Sequence, residues 1–475
     1  MDLDGNGFLH IVMFPWLAFG HMMPFFELAV SLAKKGNQIS FISTPKNIQR
    51  LPKIPSDLAH VLEFIELLLP QTENLPFGAE ATSDVPWLEV DYLKKAFDGL
   101  ESPFVTYLGT LSSPPDWVIH DFTHYWVPPI AAKLHVPCVF FCIFNASFMS
   151  YFGPTSVFLG GKYEGARANP EDFTVISKWI PFENNFAFRM FEILKMLKSV
   201  HVNVSGVTDG FRIASTVENC EVVAIRSCNE IESEYLSLLQ DEIYQKPVIP
   251  IGLLPPPRVH SEDDKDEKWV QIKYWLDTHC EKSAVYVALG SEATLSQDEM
   301  TELALGLELS ELPFFWVLRK PAGSTDFPEI PIGFEDRVKG RGFICKSWAE
   351  QHKILSHPSI GGFLTHCGWS SVIESLGCGC PLVLLPMIND QAIVARLLEW
   401  KKISFEIPRN ESDGSFTRES VAESLRKLVV EKEGEFYRAK AKELKKIVGD
   451  TSRQEQYIDD FLRYLKEHKR IGNRP

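Results

Sequence analysis

The chain of 475 residues carries too little positive charge to make nucleic acid or an anionic membrane its main partner. Lysine and arginine together number 48, against 63 aspartate and glutamate residues, which gives a formal net charge of −15 at pH 7. Both kinds of partner attract proteins through a basic surface. We therefore expect no nucleic-acid partner, and a negatively charged ligand must be held by local dipoles rather than by a basic field.

Paired cysteines and uninterrupted apolar runs are also missing. The nine cysteines are odd in number and have no paired spacing, which indicates reduced thiols in a cytoplasmic protein rather than a disulfide framework. The N-terminus begins acidic and has no basic flank, so it does not have the pattern of a secretory signal. Pro137 and Asn145 interrupt the apolar stretch 136–153, which favours a buried strand running into a loop over a membrane span. We expect no membrane insertion.

The turn after the first apolar run lacks the Gly-x-Gly-x-x-Gly fingerprint of dinucleotide-binding proteins. This run, 8–14, is typical of a strand buried on both faces. A helix is predicted over 22–34, with Pro24 tolerated in its first turn, and a second strand over 38–43. The order strand, helix, strand without those glycines disfavours a nicotinamide oxidoreductase, which remains an alternative from another class.

The length predicts two domains, because one hydrophobic core rarely supports so many residues. A strand, a glycine-containing turn and a helix are predicted again over 283–309, so the second half repeats the α/β architecture of the first. Five prolines within 247–257, followed by a charged run, have the composition of a linker. The predicted boundaries are 1–250 for the first domain, 251–270 for the linker, 271–455 for the second domain and 456–475 for a final amphipathic helix.

The stretch 348–391 has the densest functional pattern in the chain. An apolar run over 359–365 predicts a strand, and a tight turn leads from it into a helix that begins near Trp369. Ser370 and Ser371 would then lie at a helix N-terminus, where unpaired N–H groups and the helix dipole attract phosphate. Glu374, one turn further on, can accept from a vicinal diol. The stretch predicts a nucleotide site.

The spacing in this stretch, Trp-x2-Gln-x14-His-Cys-Gly-Trp-x4-Glu-x15-Asp-Gln, resembles the signature box of plant UDP-dependent glycosyltransferases of glycosyltransferase family one. The resemblance implies the GT-B fold, an α/β arrangement of two Rossmann-like domains with parallel sheets that face each other across a cleft. It makes 1–250 the acceptor-binding domain and 271–455 the UDP-sugar-binding domain. It also implies that the final helix crosses back onto the first domain.

The same resemblance assigns roles within the donor site. Uracil would stack on Trp348, with Gln351 helping to hold the uridine; His366 would meet the diphosphate, Glu374 the ribose, and Asp390 with Gln391 the sugar. Ser291 would be a further diphosphate contact, although a serine helix cap is its default interpretation. The implied donor-binding residues are Ser291, Trp348, Gln351, His366, Gly368, Trp369, Ser370, Ser371, Glu374, Asp390 and Gln391. One departure is that many members have Trp-Asn-Ser where this chain has Trp-Ser-Ser, and a serine hydroxyl at a helix start can still donate to a phosphate oxygen.

His21 is predicted beyond the end of the first strand, where ligands of open α/β sheets bind. A capping or solvated histidine is the default interpretation of such a residue. The family places its catalytic base in this first turn, so the resemblance implies that His21 is the base. Asp121, at the end of the strand predicted over 115–121, matches the family's orienting carboxylate, whereas the alternative, Asp116, lies at the opposite end of that strand.

The regular alternation of predicted strands and helices is not seen over 61–108 and 153–210, where prolines, aromatics and short helical runs dominate. Loops on a rigid scaffold often carry specificity, so we expect acceptor recognition there and near the first-domain turns. For each candidate, a plain core position is at least as good an interpretation. The candidate acceptor-binding residues, an apolar wall with one amide, are Phe19, Phe122, Phe144, Asn145, Phe148 and Phe186.

The resulting hypothesis is an inverting UDP-glycosyltransferase. His21 takes a proton from an acceptor hydroxyl as that oxygen attacks the anomeric carbon. No carboxylate cluster or Asp-x-Asp lies in the donor turn, so we expect no metal and no cofactor besides the UDP-sugar co-substrate. Its partners would be this donor and a small-molecule acceptor, and we expect a monomer. The Asp-Gln ending is similar to that of glucose-using members, which favours UDP-glucose.

Several alternatives stay open at this stage. The motifs Phe-Pro-Trp-Leu-Ala-Phe-Gly-His, Val-Ala-Leu-Gly-Ser-Glu-Ala-Thr and Arg-Asn-Glu-Ser-Asp-Gly look like the plant subgroup that often adds a sugar to a sugar already on a flavonoid or terpenoid. Related enzymes use small phenolic aglycones instead, and rhamnose users share parts of the box. A nucleotide-sugar-binding protein without turnover is the alternative from another class.

Overall fold

The computed structural model describes residues 7–184, 186–200, 203–256, 267–290, 294–321, 324 and 326–469, and within them it shows two parallel β-sheets. The first sheet has seven strands in the spatial order β3-β2-β1-β4-β5-β6-β7. These strands are β1 (His10–Phe14), β2 (Gln38–Ser43), β3 (Leu62–Glu66), β4 (Trp117–His120), β5 (Cys138–Cys142), β6 (Val222–Ile225) and β7 (Val248–Pro250).

The second sheet has six strands in the order β10-β9-β8-β11-β12-β13. They are β8 (Ala284–Ala288), β9 (Phe314–Val317), β10 (Gly342–Cys345), β11 (Ile360–Thr365), β12 (Leu382–Leu384) and β13 (Phe405–Glu406). Numbered from its own first strand, each sheet therefore begins with the doubly wound order 3-2-1-4-5-6. The prediction of two Rossmann-like units with parallel sheets is confirmed.

Helices cover both faces of the two sheets. Those that belong to the first sheet are α1 (Phe19–Lys34), α2 (Pro45–Arg50), α3 (Val90–Asp98), α4 (Glu101–Thr110), α5 (Val127–Lys133), α6 (Ala146–Phe152), α7 (Ser156–Leu159), α8 (Met190–Val200), α9 (Asp209–Asn219) and α10 (Asn229–Leu238). The later ones are α11 (Glu267–Asp277), α12 (Gln297–Leu309), α13 (Phe334–Arg337), α14 (Gln351–Ser356), α15 (Trp369–Cys378), α16 (Gln391–Trp400), α17 (Arg418–Val429), α18 (Glu435–Val448) and α19 (Thr451–His468).

The central strands are apolar along their whole length because helices lie on both sides. Every residue of β5, β8 and β11 is buried. A parallel sheet covered in this way has no solvent-facing side and so needs no alternation of polar residues. In each sheet the strand order reverses beside the first strand, between β1 and β4 and between β8 and β11. The carboxyl ends of strands at such a switch point are where open α/β sheets bind ligands.

The last helix, α19, lies against the first sheet. Ile458, Phe461 and Leu465 are buried in the same apolar cluster as the residues of β1 and β4. The indole Nε1 of Trp117 in β4 donates to the carbonyl of Leu465 at 3.0 Å. The helix therefore joins the end of the chain to the N-terminal half, and no helix of the described ranges is long and apolar enough to cross a bilayer.

The predicted linker is only partly described. Ile251 and Leu253 follow β7 and are fully buried, each in the core of a different sheet. The Leu253 N–H also donates to Oε1 of Gln454 in α19 at 2.7 Å. Residues 257–266 lie outside the described ranges, and α11 begins at Glu267. The described start of this segment is thus packed between the two sheets.

Three local predictions are wrong in detail. Helix α1 begins at Phe19, so Pro24 lies inside it rather than in its first turn, and Pro24 has no N–H to donate to the carbonyl of Gly20. The stretch 136–153 is a strand followed by a short helix, α6, because the side chain of Asn145 caps that helix. The interval 61–108 contains β3, α3 and most of α4, with regular hydrogen bonding that its prolines and aromatics did not indicate.

Candidate active site

His21 and Asp121 meet at the carboxyl edge of the first sheet. Asp121 follows β4 directly, and His21 is the third residue of α1, which follows β1. Because β1 and β4 are parallel neighbours, their ends deliver both side chains to one place. The Nδ1 atom of His21 lies 2.7 Å from Oδ2 of Asp121, and the exposed fractions of the two side chains are 12% and 1%.

Three donors fix the carboxylate of Asp121. Its Oδ2 accepts from the backbone N–H of Trp16 at 3.0 Å as well as from His21, and its Oδ1 accepts from the N–H of Phe122 at 2.7 Å. A carboxylate is only an acceptor, so the proton of this pair belongs on Nδ1 of His21. That tautomer places the lone pair on Nε2, the state in which an imidazole acts as a base.

The alternative carboxylate, Asp116, lies at the opposite end of β4. Its Oδ2 accepts from the backbone N–H of His10 at 2.8 Å, which is the start of β1. The neighbouring His120 is buried, and this burial lowers its pKa to about 4, so it is neutral in the folded protein. Asp116 thus lies at the edge opposite to His21, and His120, the last residue of β4, places its Nδ1 atom 3.2 Å from the backbone oxygen of Asp121 rather than against the His21 imidazole.

Part of the predicted apolar wall lies beside His21. The rings of Phe122 and Phe144 have centroids 5.4 Å and 5.6 Å from the imidazole, and Phe148 continues the row 5.2 Å from Phe144. Phe122, Phe144 and Phe148 therefore form an aromatic row next to the imidazole. Phe19, the first residue of α1, is partly buried against a different apolar cluster, so the structure does not place it in this row.

Two further acceptor candidates also lie outside that row. Asn145 is fully buried, with its Oδ1 accepting from Phe148 N at 3.3 Å and its Nδ2 donating to Ser147 Oγ at 2.8 Å, so its amide caps α6. Phe186 is fully buried and stacks on Tyr235 with ring centroids 5.4 Å apart. Both predictions are wrong, because one side chain is a helix cap and the other is core.

The second sheet supplies an anion-binding turn at its own switch point. Strand β11 ends at Thr365 and α15 begins at Trp369, with Cys367 held at a positive φ of 69° between them. The N-cap position, Gly368, has no side chain to cap the helix, and no acidic residue lies in the first turn. The helix begins where the sequence predicted, and no side chain caps its first N–H groups, which is the local structure that suits an anion.

His366 is held in this turn between two glycines. A Cβ atom on Gly290 would lie 2.5 Å from its Nε2, and a Cβ on Gly368 would lie 2.6 Å from the same atom. Gly290 also has a φ of +77°, which side chains rarely adopt. Burial lowers the pKa of His366 to about 4, against a smaller opposing effect of the Ala288 backbone. The ring is neutral here, so it can offer a hydrogen bond but not a positive charge.

Trp348, Gln351 and Glu374 surround the space beyond this turn. The exposed fraction of Trp348 is 67%, and the guanidinium of Arg319 lies over its ring, 4.6 Å from the centroid. The Nε2 of Gln351 donates to Ser371 Oγ and to Glu374 Oε2, each at 3.2 Å. Burial raises the pKa of Glu374, whereas the bond from Gln351 lowers it. An open indole face and a hydrogen-bonded carboxylate suit a flat base and a diol.

Other residues of the box have structural partners that the sequence did not reveal. The indole of Trp369 is buried and its Nε1 donates to the carbonyl of Arg226 at 2.8 Å. Its side chain therefore links the first lobe, the sheet β1–β7 with its helices, to the second lobe, the sheet β8–β13 with its helices. Gln391 accepts at Oε1 from Met387 N at 2.9 Å and Ile388 N at 3.0 Å, which leaves its amide group to donate. Asp390 precedes α16 at its N-cap position. Ser291 lies outside the described residues.

Arg226 and Glu27 are the site residues that sequence reasoning missed. Arg226 follows β6 directly and donates through Nη1 to Ser370 Oγ at 2.6 Å, across the gap between the lobes. Glu27 belongs to α1, and burial raises its pKa to about 7, while Arg226 lowers it and Glu374 raises it. The carboxyl group of Glu27 is thus within electrostatic reach of both Arg226 and Glu374. A charged residue directly after an apolar strand was the available signal.

No group of three or more histidine, cysteine or acidic side chains in the described ranges could hold a metal ion. The anion-binding groups near α15 are backbone N–H groups, hydroxyls, a neutral imidazole and the guanidinium of Arg226. Such groups stabilise negative charge through hydrogen bonds and fixed dipoles. These groups have the chemistry that an anionic ligand requires at this turn.

Comparison with known proteins identifies the family. Residues 178–453 match the family model "UDP-glucoronosyl and UDP-glucosyl transferase". UDP-glycosyltransferase 91C1 of Arabidopsis thaliana is 46% identical over 96% of this chain and 96% of its own length, and UDP-glycosyltransferase 91D2 of Stevia rebaudiana is 45% identical over 98% and 97%. A soyasaponin III rhamnosyltransferase of Glycine max is 41% identical over 97% of this chain and 96% of its own length.

Solved structures show the same fold. The crystal structure of Arabidopsis thaliana UGT89C1 with UDP-L-rhamnose has a TM-score of 0.73 at 21% identity and covers 97% of this chain and 100% of that one. That of Phytolacca americana UGT2 with UDP-2fluoro-glucose and pterostilbene has a TM-score of 0.73 at 23% identity and covers 96% and 99%. The binding-protein and oxidoreductase alternatives are set aside by the relatives over nearly the whole chain. The chain belongs to the plant UDP-glycosyltransferases of glycosyltransferase family one and is an enzyme that transfers a sugar from a UDP-sugar donor to a small-molecule acceptor.

Proposed function

We propose that this enzyme transfers glucose from UDP-glucose, with inversion, to a hydroxyl of a plant flavonoid or terpenoid glycoside. The observation that carries the proposal is the 2.7 Å bond between His21 Nδ1 and Asp121 Oδ2 on the lobe that faces α15. The base and the anion-binding turn come from different sheets. The 2.6 Å hydrogen bond from Arg226, which follows β6, to Ser370 in α15 supports the meeting of the base and the turn at one cleft.

In the proposed mechanism, Nε2 of His21 takes the proton of the acceptor hydroxyl while the oxygen forms a bond to the anomeric carbon. The bond from that carbon to the UDP oxygen breaks on the opposite side, so an α-linked donor gives a β-glycoside. Asp121 keeps the imidazole in the required tautomer and stabilises the imidazolium as it forms. A positioned base of this kind contributes about 10²–10⁴-fold to the rate.

The charge that develops on UDP is met by groups that are already in place. These are the first N–H groups of α15, the hydroxyls of Ser370 and Ser371, and the neutral ring of His366. Preorganised donors need little reorganisation during the reaction and often contribute more than the base does. The proposal includes catalysis without a metal, in a monomeric and cytoplasmic enzyme.

Glucose is proposed as the transferred sugar because the amide group of Gln391 can donate to two adjacent hydroxyls, while Asp390 can accept from others. Rhamnose is the second candidate. It is supported by the relative named as a soyasaponin III rhamnosyltransferase, at 41% identity. The fold neighbour with UDP-L-rhamnose is too distant to favour either sugar.

A glycoside acceptor, and with it sugar-on-sugar transfer, is proposed from the sequence motifs of the subgroup. The aromatic row formed by Phe122, Phe144 and Phe148 suits the apolar body of such an acceptor beside His21. The same row would accept a phenolic aglycone, which is the second candidate for the acceptor.

A mass-resolved screen tests the proposal. The purified enzyme is incubated with UDP-glucose or UDP-rhamnose and a panel of flavonoid and terpenoid aglycones together with their monoglycosides. We expect products that are one hexose heavier, formed from monoglycosides, in the presence of EDTA, and absent with His21→Ala. Products from aglycones alone would assign the enzyme to phenolic acceptors, and turnover that survives His21→Ala would refute the proposed base.

A further inference from the structure

Arg226 is a buried cation whose hydrogen bonds end on neutral oxygens. Its side chain is 2% exposed, and it donates from Nε to Leu253 O at 2.8 Å, from Nη2 to Leu254 O at 3.0 Å and from Nη1 to Ser370 Oγ at 2.6 Å. Glu27 and Glu374 influence its pKa from a greater distance. A buried charge without an ion-pair partner is costly, so such a residue is expected to have an anionic ligand nearby.

The nearest built anion site is the start of α15. Ser370 is the second residue of that helix, whose first N–H groups have no side-chain cap. The indole of Trp369 donates to the carbonyl of Arg226, which holds the arginine backbone against the same helix turn. Arg226 therefore contacts the helix start through both its backbone and its guanidinium. Its carboxylate neighbour, Glu27, has a pKa of about 7 and is only partly ionised near neutral pH.

The bond from Arg226 also determines what the hydroxyl of Ser370 can do. A serine hydroxyl has one proton to donate and two lone pairs to accept with. Because the guanidinium occupies one lone pair, the hydroxyl proton points to another acceptor, and the charge-assisted bond makes it a stronger donor. At a helix N-terminus the acceptor that fits is a phosphate oxygen. Arginine and serine together can thus supply the donor that an asparagine amide would supply alone.

We propose that Arg226 is a positioning residue for the diphosphate of the donor: it orients the Ser370 hydroxyl toward a phosphate oxygen and places a positive charge behind it. This inference rests on the proposed UDP-sugar site. The guanidinium comes from the acceptor lobe, so a donor bound to α15 is held from both lobes. In this chain Ser370 replaces the asparagine of the Trp-Asn-Ser sequence, and Arg226, which follows β6, would compensate for the lost amide donor.

Calorimetry with UDP and with uridine tests the proposal, because the two ligands differ in the diphosphate alone. The variants are Arg226→Gln, Arg226→Lys, Ser370→Ala and the double variant Arg226→Gln/Ser370→Ala. We expect Arg226→Gln to weaken UDP binding at least about tenfold and uridine binding less than about twofold. Arg226→Lys should retain part of the UDP affinity. The double variant should lose little more than the single ones, because the two residues act as a unit.

A matched control is Arg212→Gln. Arg212 is also fully buried in the first lobe, but its guanidinium pairs with Asp98, at 2.6 Å. This variant should lower thermal stability without changing the ratio of UDP to uridine affinity. If Arg226→Gln does not fold, Ser370→Ala alone must still weaken UDP and spare uridine.

Equal losses for UDP and uridine, or strictly additive losses in the double variant, would overturn the positioning role and leave Arg226 as a structural bridge. A wild-type enzyme that binds uridine as tightly as UDP would overturn it as well. By contrast, a wild-type enzyme that binds neither ligand would refute the donor site of the proposed function itself.

Discussion

Replacement of Asp121 by asparagine exchanges one carboxylate oxygen for an NH2 group at a position where both oxygens accept hydrogen bonds from N–H donors. In the folded protein Oδ2 accepts from His21 and from Trp16, and Oδ1 accepts from Phe122. An asparagine has only one acceptor oxygen, so its NH2 group must face at least one of these donors. Either orientation of the amide has a cost.

If the amide oxygen takes the place of Oδ1, the NH2 group points at His21. The imidazole must then accept a hydrogen bond at Nδ1 and carry its proton on Nε2. An Nε2 atom that carries a proton has no lone pair with which to take the proton of the acceptor hydroxyl. If the oxygen takes the place of Oδ2, the N–H of Phe122 loses its partner in a buried site. Leaving one buried donor unsatisfied costs about 1–3 kcal/mol of stability. The Trp16 N–H also faces the NH2 group in the first orientation, so we expect the amide to distribute between the two.

We therefore expect Asp121→Asn to lower kcat by about 10²–10⁴-fold, the range that a positioned base contributes. Affinity for UDP should not change, because Asp121 does not touch the donor turn. Turnover is followed by UDP release, UDP affinity by calorimetry, and stability by thermal unfolding. The double variant His21→Ala/Asp121→Asn should be no slower than His21→Ala, since the carboxylate acts through the imidazole.

Two results would refute this reasoning. One is a kcat for Asp121→Asn within a few-fold of the wild type, which would mean that the tautomer of His21 does not matter. The other is a double variant slower than His21→Ala by the full factor of the single Asp121→Asn, which would mean that the carboxylate has a role of its own.

Three further variants test other parts of the site. Gly290→Ala places a Cβ atom 2.5 Å from Nε2 of His366 and should weaken UDP binding. The control Gly78→Ala, at a similar φ of +74° but with open space around it, should leave UDP binding unchanged. Equal effects of the two variants in calorimetry would contradict the packing argument. The folded-state pKa of Glu27 is raised to about 7, so the folded protein binds an extra proton between about pH 4.5 and 7 and loses stability as the pH rises through that window. Glu27→Gln should remove this loss and should make the protein up to roughly 3 kcal/mol more stable than the wild type above pH 7. An unchanged pH dependence of the denaturation midpoint would contradict this prediction. Arg396 donates to both oxygens of Glu192, at 2.7 and 2.8 Å. Arg396→Met should therefore lower the free energy of unfolding, measured with denaturant, by about 3–5 kcal/mol. A decrease of less than about 1 kcal/mol would show that the buried carboxylate finds another partner.

The sequence was sufficient to locate the two catalytic candidates on one edge of a sheet. His21 and Asp121 are 100 residues apart, but each follows an apolar run with the pattern of a parallel strand. Parallel strands bring their carboxyl ends together, so a strand pattern plus a chemical group after it predicts a site. The spaced box from Trp348 to Gln391 was predictable for a similar reason, because its residues lie at or near the starts of α14, α15 and α16 and in the turn after β11.

The hydrogen-bond partners of buried polar groups could not be predicted from the sequence. Ser370 was predicted at the helix start, yet its bond to Arg226 joins residues 144 positions apart in different lobes. Trp369 was assigned to the donor site but donates to the Arg226 carbonyl, and Asn145 was assigned to the acceptor but caps α6. In each case the residue lies where the pattern predicts, and only its neighbours differ.

The amino-acid sequence by itself determined most of the strands, the turns after them and the helix that begins at Trp369, since these depend on hydrophobic periodicity and local backbone preferences. The docking of the two lobes decided which buried donor meets which acceptor, and whether a given aromatic ring lines a cleft or fills a core. A hydrogen bond requires two groups to come within about 3 Å at a suitable angle. For groups on different lobes, only the tertiary structure determines that distance.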